Sequence, residues 1–463
     1  MSDLIYQSAA RMAEQIRSGQ LSSRELVTAC LQRIDQVNPK INAVVQLCQE
    51  RALDEADKLD RAASRGEFQG PLHGVPITLK DSLDTLGIVS TGGTLGRKDF
   101  VPDFDAPVVA RLRQAGAVLL GKTNTPELTL SGETNNLIYG RTRNPYDLER
   151  SPGGSSGGSA AIIACGGSAL ELGSDTGGSI REPAHLCGIC GIKPTSGRTP
   201  RSGHIVPYAG GVMDSLTQIG PMARYVEDLS LSLPLICGPD GEDPSVVPVV
   251  MGNPAEVDLS RLRIAWYDDN RIVSPDPCLQ TAVNQVTSAL NQEGLQLQEK
   301  LLPGMPQLVS LTTELRESAN AGLILRLLER YGTREPGPDL QGYLTEKTLA
   351  AMDRLDPVLM ESIDQARSEA LGFFADFDAI LCPPSHALAR PHGASHQDSF
   401  DDWSYMTIFN LLGWPGISVP VMKSDEGLPV GVQIIAPPWR EDICLALGQK
   451  VESISDGFQP PSL

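Results

Sequence analysis

The stretch Ala169-Leu170-Glu171-Leu172-Gly173-Ser174-Asp175-Thr176-Gly177-Gly178-Ser179-Ile180-Arg181-Glu182-Pro183-Ala184-His185-Leu186 passes from a short apolar run, through a Gly/Ser loop, into a helical pattern. It predicts a strand over 169–173 and a helix over 180–186. The same alternation extends upstream, with strands at 75–79 and 117–120 and helices at 107–115, 125–130 and 159–165. Strands separated by helices predict an α/β fold: a central, twisted, mostly parallel (mixed) sheet covered on both faces by helices. Further out, the first 65 residues are helical, over 4–16, then from a cap at Ser22 or Ser23 with Leu26, Val27, Cys30, Leu31 and Ile34 on one face, then over 51–64. Downstream, strands at 261–266 and 295–302 flank a helix at 276–292. A helical region at 307–374, broken near 336–338, precedes strands at 379–382, 416–420 and 430–435 and a last helix at 441–451. The expected organisation is one unit over 1–463: a helical segment 1–70, a core 71–235, and the remaining sheet 236–463 with a helical pocket region at about 307–403.

Of the 463 residues, 38 are Lys or Arg and 57 are Asp or Glu, a net charge of −19. That balance excludes a nucleic-acid binder, which needs clustered cations for phosphate contacts. No apolar run reaches the ~20 residues of a membrane span. The first 20 residues mix Asp3, Arg11, Glu14 and Arg17 with apolar residues, unlike a secretory signal. Nine scattered cysteines fit a reduced cytoplasm better than a disulfide framework. The expectation is a cytoplasmic protein with no nucleic-acid or membrane partner; for assembly, the homodimer is the commonest form.

Three segments carry candidate chemistry: Gly74-Val75-Pro76-Ile77-Thr78-Leu79-Lys80-Asp81, Ser151-Pro152-Gly153-Gly154-Ser155-Ser156-Gly157-Gly158-Ser159, and Gly173 to Arg181. Gly-rich loops leading into helices present backbone N–H groups to an anion, and an anion nest beside a serine suits acyl transfer. Such a serine needs a base. The six histidines form no constellation with a serine. Lys80 ends an apolar strand, where desolvation makes a neutral amine accessible; the competing assignment is a surface ion pair with Asp81 or Asp84. Gly153-Gly154-Ser155-Ser156-Gly157 also fits the G-x-S-x-G nucleophile elbow, but Ser151-Pro152 precedes it where a strand is required. Cys187 and Cys190 lack a second ligand pair and are expected as buried thiols. Neither Gly/Ser loop ends in the G-K-[ST] of a P-loop. No metal or cofactor is implied.

With these residues in place, the sequence resembles the amidase signature family. Pro71-Leu72-His73-Gly74-Val75-Pro76 running to Lys80-Asp81 is similar to the family's lysine segment, Arg143-Asn144-Pro145-Tyr146-Asp147 with Ser151 to Ser159 to its first serine loop, and Gly173 to Arg181 with Glu182-Pro183-Ala184 to its second. Cys187 to Thr195, Asp214-Ser215-Leu216, Gly220 to Arg224, Asn410 to Pro415 and Gly431 to Ile435 extend the likeness over most of the chain. The resemblance implies the amidase-signature fold, with 71–235 as its signature core, and a Ser–Ser–Lys triad. In it Ser179 is the acyl-forming nucleophile, Ser155 the bridging serine after a cis peptide at Gly154, and Lys80 the general base. It implies an oxyanion hole from the backbone N–H groups of Thr176, Gly177, Gly178 and Ser179, with Gly154, Ser156, Asp175 and Arg181 in support. The implied activity is hydrolysis of a small carboxamide to carboxylate and amine or ammonia. The alternatives are the glutaminase component of the tRNA-dependent amidotransferase, a urea- or carbamate-cleaving amidohydrolase, and a non-catalytic scaffold. Gly210-Gly211-Val212-Met213-Asp214-Ser215 is more similar to stand-alone amidases than to that glutaminase component. Leu311, Leu315, Leu323, Leu325, Met352, Met360 and Phe374 face either a substrate pocket or the core, and Trp403 and Trp414 either border the pocket or pack.

Overall fold

The computed structural model describes residues 2–208, 216–352 and 356–463. The segment 210–215, similar in sequence to stand-alone amidases, lies outside the described residues. Thirteen strands are present among them: β1 (Val44–Leu47), β2 (Pro76–Lys80), β3 (Val118–Thr123), β4 (Asn135–Asn136), β5 (Gly140–Arg141), β6 (Leu170–Asp175), β7 (Cys190–Lys193), β8 (Gln218–Ala223), β9 (Arg263–Trp266), β10 (Gln296–Glu299), β11 (Ala379–Cys382), β12 (Gly416–Lys423) and β13 (Pro429–Ile435). Eleven form one sheet in the order β1-β3-β2-β6-β8-β7-β12-β13-β11-β9-β10, and β4 pairs with β5 apart from it. The expected α/β class with a mixed sheet holds. Parallel pairing is confined to the runs β3-β2-β6 and β11-β9-β10, and the other six ladders are antiparallel.

Every residue of β2, β3, β6, β7, β8, β11 and β13 is buried, so both faces of the middle of the sheet are covered. The helix Ser23–Ile41 begins at Ser22, whose side chain accepts from the Glu25 N–H while Glu25 reaches back to the Ser22 N–H. Its buried face holds Leu26, Val27, Cys30, Leu31 and Ile34, as the spacing predicts. The helices Val226–Ile236 and Glu441–Ser453 pack on β8 and β12, and Pro277–Gln292 on β13. A second apolar cluster is built from the helices Met305–Tyr331, Pro357–Leu371 and Ser404–Leu411 and from Trp414. Leu311, Leu315 and Leu323 belong to this core, as does Trp414 at 2% exposure. Among the described residues no helix is long and apolar enough to cross a membrane.

β2 and β6 are adjacent and parallel, with Leu79 opposite Leu172. Lys80 therefore ends one strand beside the end of the other, where Asp175 leads into the loop carrying Ser179. Ligand sites of α/β sheets form outside such carboxyl ends.

Candidate active site

Lys80 is fully buried. Its Nζ lies 2.7 Å from the Ser155 Oγ, 2.9 Å from the Ser156 Oγ and 2.9 Å from the Ser174 Oγ. Neither neighbouring acid reaches it. Asp81 accepts from Thr91 and faces Lys122 at 3.7 Å, and Asp84 pairs with Arg97. The competing surface ion pair for Lys80 is thus not formed. Burial pushes its pKa down to about 7, against the opposing charges of Asp175 and Glu171. A neutral amine donates two hydrogen bonds and accepts one, which three hydroxyl neighbours can satisfy. Glu171 lies behind, accepting from Thr78, Thr123 and Ser159. Burial raises its pKa to about 7 against those hydrogen bonds and the Lys80 charge.

The first serine loop enters the helix Gly157–Ala164, and the Gly154–Ser155 peptide is cis. A Cβ on Gly154 would stand 2.6 Å from the Ser131 carbonyl oxygen, so only glycine lets the two loops approach this closely. Thr125 Oγ1 donates to the Ser155 carbonyl at 3.0 Å. The Ser156 N–H donates to the Ser179 carbonyl at 3.2 Å, tying the two serine loops together. Ser156 itself bonds Lys80 and donates to the Ser174 carbonyl at 3.4 Å.

The second loop is built around Asp175. Its Oδ1 accepts from the Gly178 N–H at 2.7 Å and from Asn410 Nδ2 at 2.9 Å, and its Oδ2 from the Ile180 N–H at 3.2 Å and Arg181 Nε at 3.0 Å. Burial opposes charge on Asp175, but the Arg181 guanidinium, with Lys193 and the Asn410 hydrogen bond, holds the carboxyl well below the usual range. Arg181 also donates to Gln433 Oε1 at 2.9 Å and Asn410 Oδ1 at 2.6 Å. Asp175 and Arg181 are fully buried, and their contacts are to the loop and the fold.

The backbone N–H groups expected to hold the oxyanion have different surroundings. The Gly178 N–H is spent on Asp175, which leaves the N–H groups of Thr176, Gly177 and Ser179 without a partner among the described residues. Gly178 has φ +123°, and a Cβ there would stand 2.4 Å from the Met406 sulfur. Backbone conformation and the closeness of Met406 each require glycine at 178.

A cavity of about 540 Å³ opens over this loop, with Thr176, Gly177 and Ser179 on its wall. The Ser179 hydroxyl makes no hydrogen bond among the described residues, so no direct bond to Ser155 closes the chain. Catalytic hydrogen bonds often tighten only on substrate binding. None of the seven apolar candidates from the helical region lines the cavity. The wall there includes Arg316, Asn320 and Ile324, four residues apart on the helix Met305–Tyr331, with Glu317 beside them and Trp403 also on the lining. That i, i+4, i+8 stripe is visible in the sequence but is masked by the more numerous leucines. Sequence reasoning also misses Ser174 and Glu171 as partners of the site, because their role depends on the β2–β6 pairing. His386 and His392 bond the backbone carbonyls of Asp402 and Leu148, so neither completes a nucleophile elbow at Ser155. Cys187 and Cys190 are buried free thiols.

Fold and site together place a buried lysine among serine hydroxyls beside the ends of two parallel strands of a mixed α/β sheet. The amidase family profile matches residues 25–445, and the chain belongs to that family, whose members are amidohydrolases acting on C–N bonds. It is 37% identical to fatty-acid amide hydrolase 2-A of Danio rerio, over 99% of this chain and 90% of that protein. It is 33% identical to the A component of the glutamyl-tRNA(Gln) amidotransferase of Cyanothece sp., over 96% and 97% of the two chains. Its structure superposes on that of a 6-aminohexanoate cyclic dimer hydrolase complexed with substrate with a TM-score of 0.86 at 28% identity, covering 99% of both chains.

Proposed function

We propose that the chain hydrolyses a small carboxamide through an acyl-enzyme on Ser179. Neutral Lys80 accepts the Ser155 proton, and Ser155 accepts the proton of Ser179 as its oxygen attacks the amide carbon. The N–H groups of Thr176, Gly177 and Ser179 receive the oxyanion. The relay then returns a proton to the leaving nitrogen, and the C–N bond breaks. Water enters, loses a proton along the same path, and releases the acid. The observation that carries this reading is a fully buried lysine whose side-chain neighbours are three hydroxyls and whose pKa is pushed down to about 7. Mass spectrometry of protein treated with a fluorophosphonate tests it: the adduct is expected on Ser179, and an adduct on Ser155 alone overturns the assignment.

A second reading, the glutaminase component of a tRNA-dependent amidotransferase, is favoured by amidotransferase relatives that match nearly the whole chain. Amide hydrolysis by the isolated chain supports the stand-alone reading. Glutamine hydrolysis that requires charged tRNA and a co-purifying partner chain supports the other. We further take the chain as one catalytic unit, since strands from Val44 to Ile435 share one sheet. Nine free thiols support a cytoplasmic location. The proposed assembly, a homodimer, is tested by sedimentation.

A further inference from the structure

We propose that the cavity takes amides that carry a carboxylate within a few bonds of the scissile carbonyl, and that Arg316 is the residue that selects them. This rests on the catalytic reading above and names its substrate class. Arg316 Nη2 donates to the Thr176 carbonyl at 2.8 Å. A Cβ on Gly177 would stand 2.4 Å from the same nitrogen. The guanidinium therefore lies against the peptide two residues before Ser179, on the wall of the cavity.

Its charge has no directly paired carboxylate: Asp175 acts on it but is itself paired with Arg181. The Nε is buried without a hydrogen-bond partner, and no carboxylate forms an ion pair with Arg316 among the described residues. The other charges on the wall have partners: Glu317 meets Lys347 at 2.5 Å, Asp398 meets Arg390 at 2.6 Å, and Asp339 has an interaction of its own. A guanidinium offers five donors in a planar fork. Here one is used on a backbone carbonyl. A half-buried cation facing a cavity without a directly paired counter-ion is costly, and two carboxylate oxygens satisfy it bidentately. The carboxylate can sit on the acyl part or on the leaving amine. In either case the short distance from Arg316 to the Ser179 loop keeps it near the reacting carbon.

Calorimetric titration of the Ser179→Ala protein separates these cases without turnover. The probes are glutaramate, with its charge on the acyl part, and N-acetylglycinate, with its charge on the amine part. Their neutral counterparts are pentanamide and N-propylacetamide. At least one charged probe is expected to bind about a hundredfold more tightly than its neutral counterpart, and which one does so identifies the charged side. The preference is expected to fall below about tenfold in Ser179→Ala/Arg316→Met and to be partly restored by Arg316→Lys. A role limited to propping the loop would weaken charged and neutral probes alike. Equal binding of charged and neutral probes with Arg316 intact overturns the inference, even if the Met variant fails to fold. So does a preference that survives the Met variant. Fluorophosphonate labelling of Ser179 in the unmodified protein reports the catalytic reading separately: labelled protein with no carboxylate preference sinks this inference alone.

Discussion

Lys80 and Asp81 are adjacent in the chain yet share no ion pair. Lys80 meets the hydroxyls of Ser155, Ser156 and Ser174, whereas Asp81 meets Thr91 and Lys122. Alternation along an extended segment sends consecutive side chains to opposite sides, and at the end of β2 this separates an acid from an amine that would otherwise hold its proton. Another buried lysine, Lys122, takes the acid. Lys80 is left in a setting where burial outweighs the more distant charges of Asp175 and Glu171.

A rising limb in the pH profile follows. With its pKa lowered to about 7, Lys80 is neutral above that pH in the folded protein. The kcat/KM for a neutral amide is expected to climb through about pH 7 and then level off, since this quantity reports the free enzyme. The same shift acts on stability. Between about pH 7 and the ordinary lysine value of 10.5, the unfolded chain binds a proton that the folded one does not, so this group's contribution to stability rises with pH across that window. A flat profile from pH 5.5 to 9, with chemistry rate-limiting, would remove Lys80 as the base.

Glu171 tunes that limb without facing the cavity. Its carboxylate favours the protonated form of Lys80. Glu171→Gln keeps the side chain's size and removes the charge, so the limb is expected to move toward lower pH while Ser179 labelling persists. A limb that stays in place shows that Glu171 is uncharged where Lys80 titrates.

Removing each serine distinguishes the two hydroxyls. Ser179→Ala is expected to lower kcat by at least about a thousandfold and to abolish the acyl-enzyme. Ser155→Ala is expected to slow acylation by a similar factor while leaving fluorophosphonate capture at Ser179 detectable. Rapid-quench detection of acylated peptides checks both. Turnover retained in Ser179→Ala would end the assignment.

The sequence makes the serine loops and Lys80 legible because Gly/Ser runs are chemically marked and because Lys80 closes an apolar strand. It hides β8, whose residues Gln218–Ala223 include Gly220 and Pro221. Proline is normally confined to edges and bulges, yet Pro221 stands opposite Leu172 inside the sheet. β7, Cys190–Lys193, is short and glycine-containing, and its pairing with β8 and β12 decides it. Short β1, at the sheet edge, carries no strong alternation. The partners of Lys80 split in the same way. Ser155 and Ser156 lie in a marked loop, whereas Ser174 reaches Lys80 only because β2 and β6 run side by side. Arg316 comes from 140 residues beyond Thr176, the residue it bonds, and local sequence carries no trace of that contact.

Arg181 is the position where loop support and substrate contact give different results. Its guanidinium is fully buried, paired with Asp175 at 3.0 Å and bonded to Gln433 and Asn410. Arg181→Met leaves the Asp175 carboxylate buried without its main partner, a change that costs about 3–5 kcal/mol. Urea denaturation is expected to show that loss. Because Asp175 also holds the Gly178 and Ile180 N–H groups, the Ser179 loop loosens and kcat falls, while KM for a small amide changes little. Substrate contact predicts the reverse: KM rises and stability is nearly unchanged. An unaltered urea midpoint with a raised KM would therefore move Arg181 from the scaffold to the binding site.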